Sequence, residues 1–456
     1  MSMSVDGLVS GMDTTSIISG LMQTEAAPQT ALKTRLSTTK TAASAYRTVN
    51  TTFAAVRTAA EALQKVEIWG SAKATSNSTS VTATATGTNP PTGSLTFTVQ
   101  SLASAHGLVN QNATWTSTTA AYGASSIVVT DKNDVSKGSI PIGGTGTLAD
   151  AAAAINADTT LGLTASVVQV RAGTSPLYAL QISSKTTGAA TEFKLSGAGT
   201  FGITSQASDA ELKIGTPGAA GAYSVYSSTN TFDSVMPGAT MTVNKADTAT
   251  PVTVGIAKDP DAIATKMQAL VDAVNSALQT TRDYTSSAPG STAALKGDYA
   301  MTSLVSRLLT GVAGAVGKDG SPAKLGLELA KDGKSVTFTK STFVDALKSN
   351  PALVQRMVDG SPAAGSTAAV PGIADRLFDI AKAASDSTTG TIVALANGKD
   401  SVAKDIQTRI DAWDLRLATR KQTLTRQFTA METALSSLKN QSNWLAGQIS
   451  SLPTSG

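Results

Sequence analysis

The chain has 456 residues, room for about three domains of ~150 residues each. It contains no cysteine, one histidine (His106), 4% aromatic residues and 15% charged residues, the last low against the ~25% of ordinary globular proteins. A disulfide framework, a thiol nucleophile and a cysteine metal site are thereby excluded, and one histidine supports neither a His-rich metal centre nor an imidazole relay. The formal net charge of +4 is too small at this length for a nucleic-acid-binding field.

Much of the 41% hydrophobic content is alanine, which buries little surface per position and so predicts thin, elongated domains. The N-terminus lacks the basic start of a secretory signal: Asp6, Asp13 and Glu25 all precede the first basic residue, Lys33. No run of ~18 apolar residues occurs, so no membrane span is expected. The most apolar window, Leu308 to Val316, is short and interrupted by glycine. A route out of the cell would therefore not read a cleaved signal.

In chain order, Asp13 is an N-cap candidate ahead of Ile17, Ile18, Leu21 and Met22 at helical spacing. After Pro28, Ala42, Tyr46, Val49, Phe53, Val56, Ala60 and Leu63 alternate four and three apart, a heptad seam that ends near Trp69 and Gly70. From Ala72 to about Ile256, Thr-rich alternation predicts strands at 80–84, 95–99, 126–129, 164–168, 177–182 and 240–243. One short helix, Thr147 to Ala157, interrupts them. Helix resumes at Asp259–Pro260, with Ile263, Met267, Leu270, Val271, Val274 and Leu278 as one apolar stripe. A hairpin is expected within 325–338, a loop at 360–372 and helix from Ile373 onward. Ile410, Trp413, Leu417 and Leu424 open a second seam. Phe428, Met431, Leu435, Leu438, Leu445 and Ile449 continue it after a four-residue stutter.

No motif yields credible chemistry. Gly197, Gly199 and Gly202 fit G-x-G-x-x-G, but no helix opens after them and Pro217–Gly218 stands where the ribose-binding acid belongs. Gly333-Lys334-Ser335 resembles the end of a phosphate loop whose first glycine is Glu328 instead. The segment Asp131–Val135 fails as a calcium loop because Val135 occupies a ligand position. His106 has no nucleophile elbow to serve and reads as a surface or satisfied histidine. Asp411 and Asp414 read as a solvated helix face. No enzyme activity, metal or cofactor is expected.

The segment Ser4-Val5-Asp6-Gly7-Leu8-Val9-Ser10-Gly11-Met12-Asp13-Thr14-Thr15 resembles the opening of the flagellar filament cap proteins, the hook-associated protein 2 (FliD) family. Arg426-Gln427-Phe428-Thr429-Ala430-Met431-Glu432 resembles that family's C-terminal signature. Thr147–Asp150 with Ala154-Ile155-Asn156, then Leu163–Val167, is similar to a motif shared by flagellins and caps. Ser228–Phe232 with Pro237–Thr242, and Leu295–Asp298, match further landmarks.

The resemblance implies an α+β chain. Both termini would build a coiled-coil leg and a helical domain, with β-rich head domains inserted in the middle. The expected division is 1–40 with 427–456 as leg segments, 41–73 with 258–426 as the helical domain, 74–114 with 207–257 as one head, and 115–206 as a second head inserted in the first. It implies a structural cap at the distal tip of the bacterial filament, with flagellin and copies of itself as partners. Passage through the flagellar export apparatus with an export chaperone is implied too, and a host surface is a further partner. Contacts to flagellin or between subunits are assigned to Val5, Leu8, Val9, Met12, Ile17, Ile18, Leu21, Phe428, Met431, Leu435, Leu438, Leu445 and Ile449. A flagellin-like or hook–filament junction subunit and a tip adhesin are the alternatives.

Overall fold

The computed structural model describes residues 11–111, 115–215, 219–362 and 368–450. It is an α+β chain with two compact units, one from Met1–Lys65 and Ala264–Gly456, the other from Val66–Ile263.

The first unit is mainly helical. Helix Thr14–Glu25 begins where Asp13 Oδ1 accepts the Ser16 N–H at 2.8 Å, the capping role its sequence position predicts. Helix Ala27–Gln64 follows at once, with Pro28 in its first turn, where the missing N–H is not needed. Its heptad residues Ala42, Tyr46, Val49, Phe53, Val56, Ala60 and Leu63 are all buried, packed on helices Ile373–Ser385 and Thr391–Ser450. The last of these runs 60 residues, and Ile392, Ala396, Ala403 and Ile406 extend its buried stripe backward from Ile410.

Helix Pro260–Thr285 starts at Asp259, whose Oδ1 accepts the Ala262 N–H at 3.0 Å, and its apolar stripe is buried as spaced. The hairpin Leu327–Leu329 with Val336–Phe338 is held by Asn275, which accepts the Val336 N–H at 2.8 Å and donates to its carbonyl at 2.9 Å. Helix Tyr299–Ala313, capped by Asp298, lies where the sequence pattern predicts no element. Gly311, which breaks its apolar run, is a packing residue: a Cβ there would lie 3.1 Å from Ile380 and 3.2 Å from Leu377, so its absence lets two helices approach.

The second unit is β-rich and antiparallel, with two hydrophobic cores. One lies under a five-stranded sheet in the order Ala72–Ser76, Asp247–Lys258, Gly93–Ser101, Ala210–Ile214, Tyr223–Ser227. Its cross-strand neighbours Leu212↔Val99, Ile214↔Phe97 and Val252↔Phe97 put alternate apolar side chains on one face. That face packs with Phe232, Met241 and Val81 from the three-stranded sheet Thr231–Met236, Ala239–Val243, Val81–Ala85.

The other core is formed by a four-stranded sheet (Phe201–Ser205, Gly107–Asn110, Leu177–Ser184, Leu163–Arg171) and a three-stranded sheet (Ser136–Pro141, Ser126–Asp131, Phe193–Ser196). Helix Leu148–Ala157 covers it through Leu148, Ala151 and Ile155, its start fixed by a reciprocal capping box between Thr147 and Asp150. In sequence these strands fall between Gly93–Ser101 and Ala210–Ile214 of the first core. His106, at the crossover, is buried rather than on the surface, packs edge-on to Phe193 at 5.1 Å, and has no partner on Nδ1 among the described residues.

Candidate functional site

The surface left open by this packing lies at the ends of the first unit's paired helices. Helix Thr14–Glu25 lies on the C-terminal helix, fastened by the Arg420–Glu25 ion pair at 2.9 Å. The Gln29 amide donates to Asp414 Oδ1 at 2.5 Å in the next turn. Between the helices runs a groove of about 410 Å³ lined by Thr14, Ile18, Met22, Thr425 and Phe428 among others. Ile18 is buried there, whereas Met12, Ile17 and Leu21 face outward. Three of the expected contact residues, Val5, Leu8 and Val9, lie outside the described residues.

Along the C-terminal helix, burial fades toward the end. Leu424 is buried and Phe428, Met431 and Leu435 are half-buried. Leu438, Leu445 and Ile449 are then 61%, 53% and 62% exposed. Trp444, 66% exposed beside them, is missing from the expected set because it falls off the heptad positions. It lines a groove of about 690 Å³ with Thr433, Ser437, Asn440 and Gln441. A Trp–Leu–Ile surface on one exposed helix stands out, because each large apolar side chain gains about 1.5–3 kcal/mol when a partner covers it. The arrangement offers apolar contact area to a partner. Among the described residues no three His, Asp or Glu side chains gather as metal ligands. No helix among them is long and apolar enough to cross a membrane.

Residues 10–106 match the sequence model of the flagellar hook-associated protein 2 N-terminus, and residues 207–440 that of its C-terminus. The chain belongs to the flagellar hook-associated protein 2 family. It is thereby a flagellar cap protein of the filament tip, a membership that implies association with flagellin and with copies of itself.

The D1-D2-D3 domains of the flagellar cap protein FliD from Escherichia coli share its fold, with a TM-score of 0.57 at 23% identity, over 78% of this chain and 99% of that one. The D2-D3 domains of the same protein align over 41% of this chain and 99% of theirs at 24% identity and a TM-score of 0.35. FliD from Pseudomonas aeruginosa PAO1 aligns over 43% and 92% at 17% identity and a TM-score of 0.34. No curated protein sequence matches the chain. Between the two matched segments, 107–206 holds the strands of the second β core.

Proposed function

We propose that the chain works as an oligomeric plate with flexible legs, which retains exported flagellin at the filament tip and promotes its folding and insertion beneath the plate. Residues 1–40 and 427–456 are the leg segments. They dock on flagellin through Met12, Ile17, Leu21, Phe428, Met431, Leu435, Leu438, Leu445 and Ile449, and Val5, Leu8 and Val9 are assigned to the same partner. Ile18 holds the two leg helices together from within. The β-rich segments 74–114 with 207–257, and 115–206, form the plate. The chain reaches the tip through the export apparatus, unfolded and accompanied by an export chaperone.

The observation that carries this reading is the exposed seam of the C-terminal helix, where the apolar spacing that buries Ile410 and Leu424 resumes after the stutter and runs through Leu445 and Ile449 with no described residue covering them. Contacts of this kind, made by helix ends rather than by a rigid core, stay reversible because ordering offsets part of their gain. A strain lacking the gene should release unpolymerised flagellin into the medium, and tip-only immunogold labelling should mark the protein in wild type. Normal filaments in the deletion strain, or labelling along their length, would overturn the proposal in favour of a filament or junction subunit.

A further inference from the structure

Farther from the chain ends, the helices Ala27–Gln64 and Thr391–Ser450 border a groove of about 620 Å³. Its apolar lining includes Pro28, Leu32 and Trp413, and its charged rim is Arg35, Arg409 and Arg416. The Arg416 guanidinium lies over the Trp413 ring, 4.8 Å from its centroid. None of the three arginines has an ion-pair partner among the described residues. This contrasts with Arg47 and Arg420 on the same helix pair, which meet Asp400 and Glu25.

At the same height, another side of the C-terminal helix carries the complement. Leu415 is 72% exposed, with Asp411 one turn before it and Asp414 adjacent. Asp411 Oδ1 accepts the Gln407 amide at 2.8 Å and Asp414 Oδ1 the Gln29 amide, and neither carboxylate has an ion-pair partner among the described residues. The acidic knob and the basic groove thus occupy one level of one helix, between Arg409 and Arg416, about 10 Å along its axis. Leu415 and Arg416 point about 100° apart around that axis.

We infer that the occupant of this groove is a second copy of the chain, whose Leu415 seats on Trp413 and Leu32 while its Asp411 and Asp414 meet Arg35, Arg409 and Arg416. Knob and groove are different patches, so the contact is head-to-tail. Because they lie at one height and diverge in angle, repetition turns around an axis without climbing along it, the condition for a closed ring. The inference rests on the self-association implied by family membership and specifies which surfaces make it.

The test uses purified full-length protein, followed by mass photometry and light scattering across concentration and salt. Arg409→Glu with Arg416→Glu should raise the self-association midpoint about tenfold, and so should Asp411→Arg with Asp414→Arg, circular dichroism melts confirming that each variant folds. Mixed together, the two double variants should assemble again, since each then presents the charge the other's groove or knob requires. High salt should weaken the wild-type assembly. The inference is overturned if either double variant associates as the wild type does, or if the folded mixture stays monomeric. It is equally overturned if the groove variant keeps self-association while losing only binding to polymerised flagellin, which would give the groove to the filament. Flagellin retention by cells is read separately, so failure here leaves the capping function standing.

Discussion

The Tyr46 hydroxyl donates a hydrogen bond to Asp298 Oδ2 across 252 positions of sequence. Tyr46 sits on the buried seam of helix Ala27–Gln64, and Asp298 Oδ1 accepts the Met301 N–H at 3.2 Å as N-cap of helix Tyr299–Ala313. One carboxylate therefore starts a helix and ties it to the N-terminal one. Burial, reinforced by the Asp298 carboxylate, holds the Tyr46 phenol protonated far above its ordinary range. Tyr46→Phe should cost about 1–2 kcal/mol in chemical denaturation. Asp298→Ala should cost more, since it also removes a cap worth ~1 kcal/mol. Equal losses from the two would refute the shared role.

Asp359 ends helix Pro351–Asp359, where burial, and then the nearby Asp375 carboxylate, push its pKa up from 3.8 to about 6. The folded state thus binds this proton more tightly than the unfolded chain, and stability should fall as pH rises from about 4 to about 6. Asp359→Asn should flatten that slope and stabilise the protein above pH 6. Melting curves of both proteins over this range decide it; parallel slopes would count against the assignment.

His106 should act in the opposite sense. Burial lowers its pKa, only partly offset by the nearby Glu192 carboxylate and the Phe193 backbone. The unfolded chain then takes up the proton first, so stability should be lost as pH falls below the ordinary value of 6.5. Replacement by a residue that cannot titrate, His106→Phe, should remove this acid sensitivity from the β-rich unit. Hydrogen exchange on its strands reports the effect unit by unit.

Gly372 caps helix Ile373–Ser385 where the backbone passes so close that a Cβ would stand 2.3 Å from the Val358 carbonyl oxygen. Backbone cannot yield as a side-chain tip can. Gly372→Ala should destabilise the helical unit by about 1–3 kcal/mol in urea titration, and an unchanged midpoint would show that the loop is free to move.

Leu445→Asp and Ile449→Asp alter side chains that touch solvent, so melting temperatures should stay within a degree or two of wild type. Filament growth in cells carrying them should nevertheless drop severely. Normal motility with both substitutions combined would remove these residues from the docking surface.

Much of this was legible in the residues themselves. Caps at Asp13, Thr147 and Asp259 are local contests between side chain and backbone, settled within four residues, and each appears where its spacing predicts. The seam from Ala42 to Leu63 was equally plain, because heptad spacing forces one face inward whatever it meets. Strands such as Gly107–Asn110 and Phe193–Ser196 leave no such local signal. They are four residues long, too short for alternation to register, and their pairing comes from strands more than 60 positions away.

By itself, then, the sequence determined the helical ends and the β-rich middle, since periodicity and composition are properties of short windows. Only the tertiary structure decided that Gly311 is a contact and not a break, that Ile18 faces inward while Ile17 and Leu21 face out, and that His106 is buried. It alone separated Arg409 and Arg416, without acidic partners among the described residues, from Arg420, which has one. Those distinctions depend on which segment lies across from which, and that is fixed by long-range packing that no local pattern encodes.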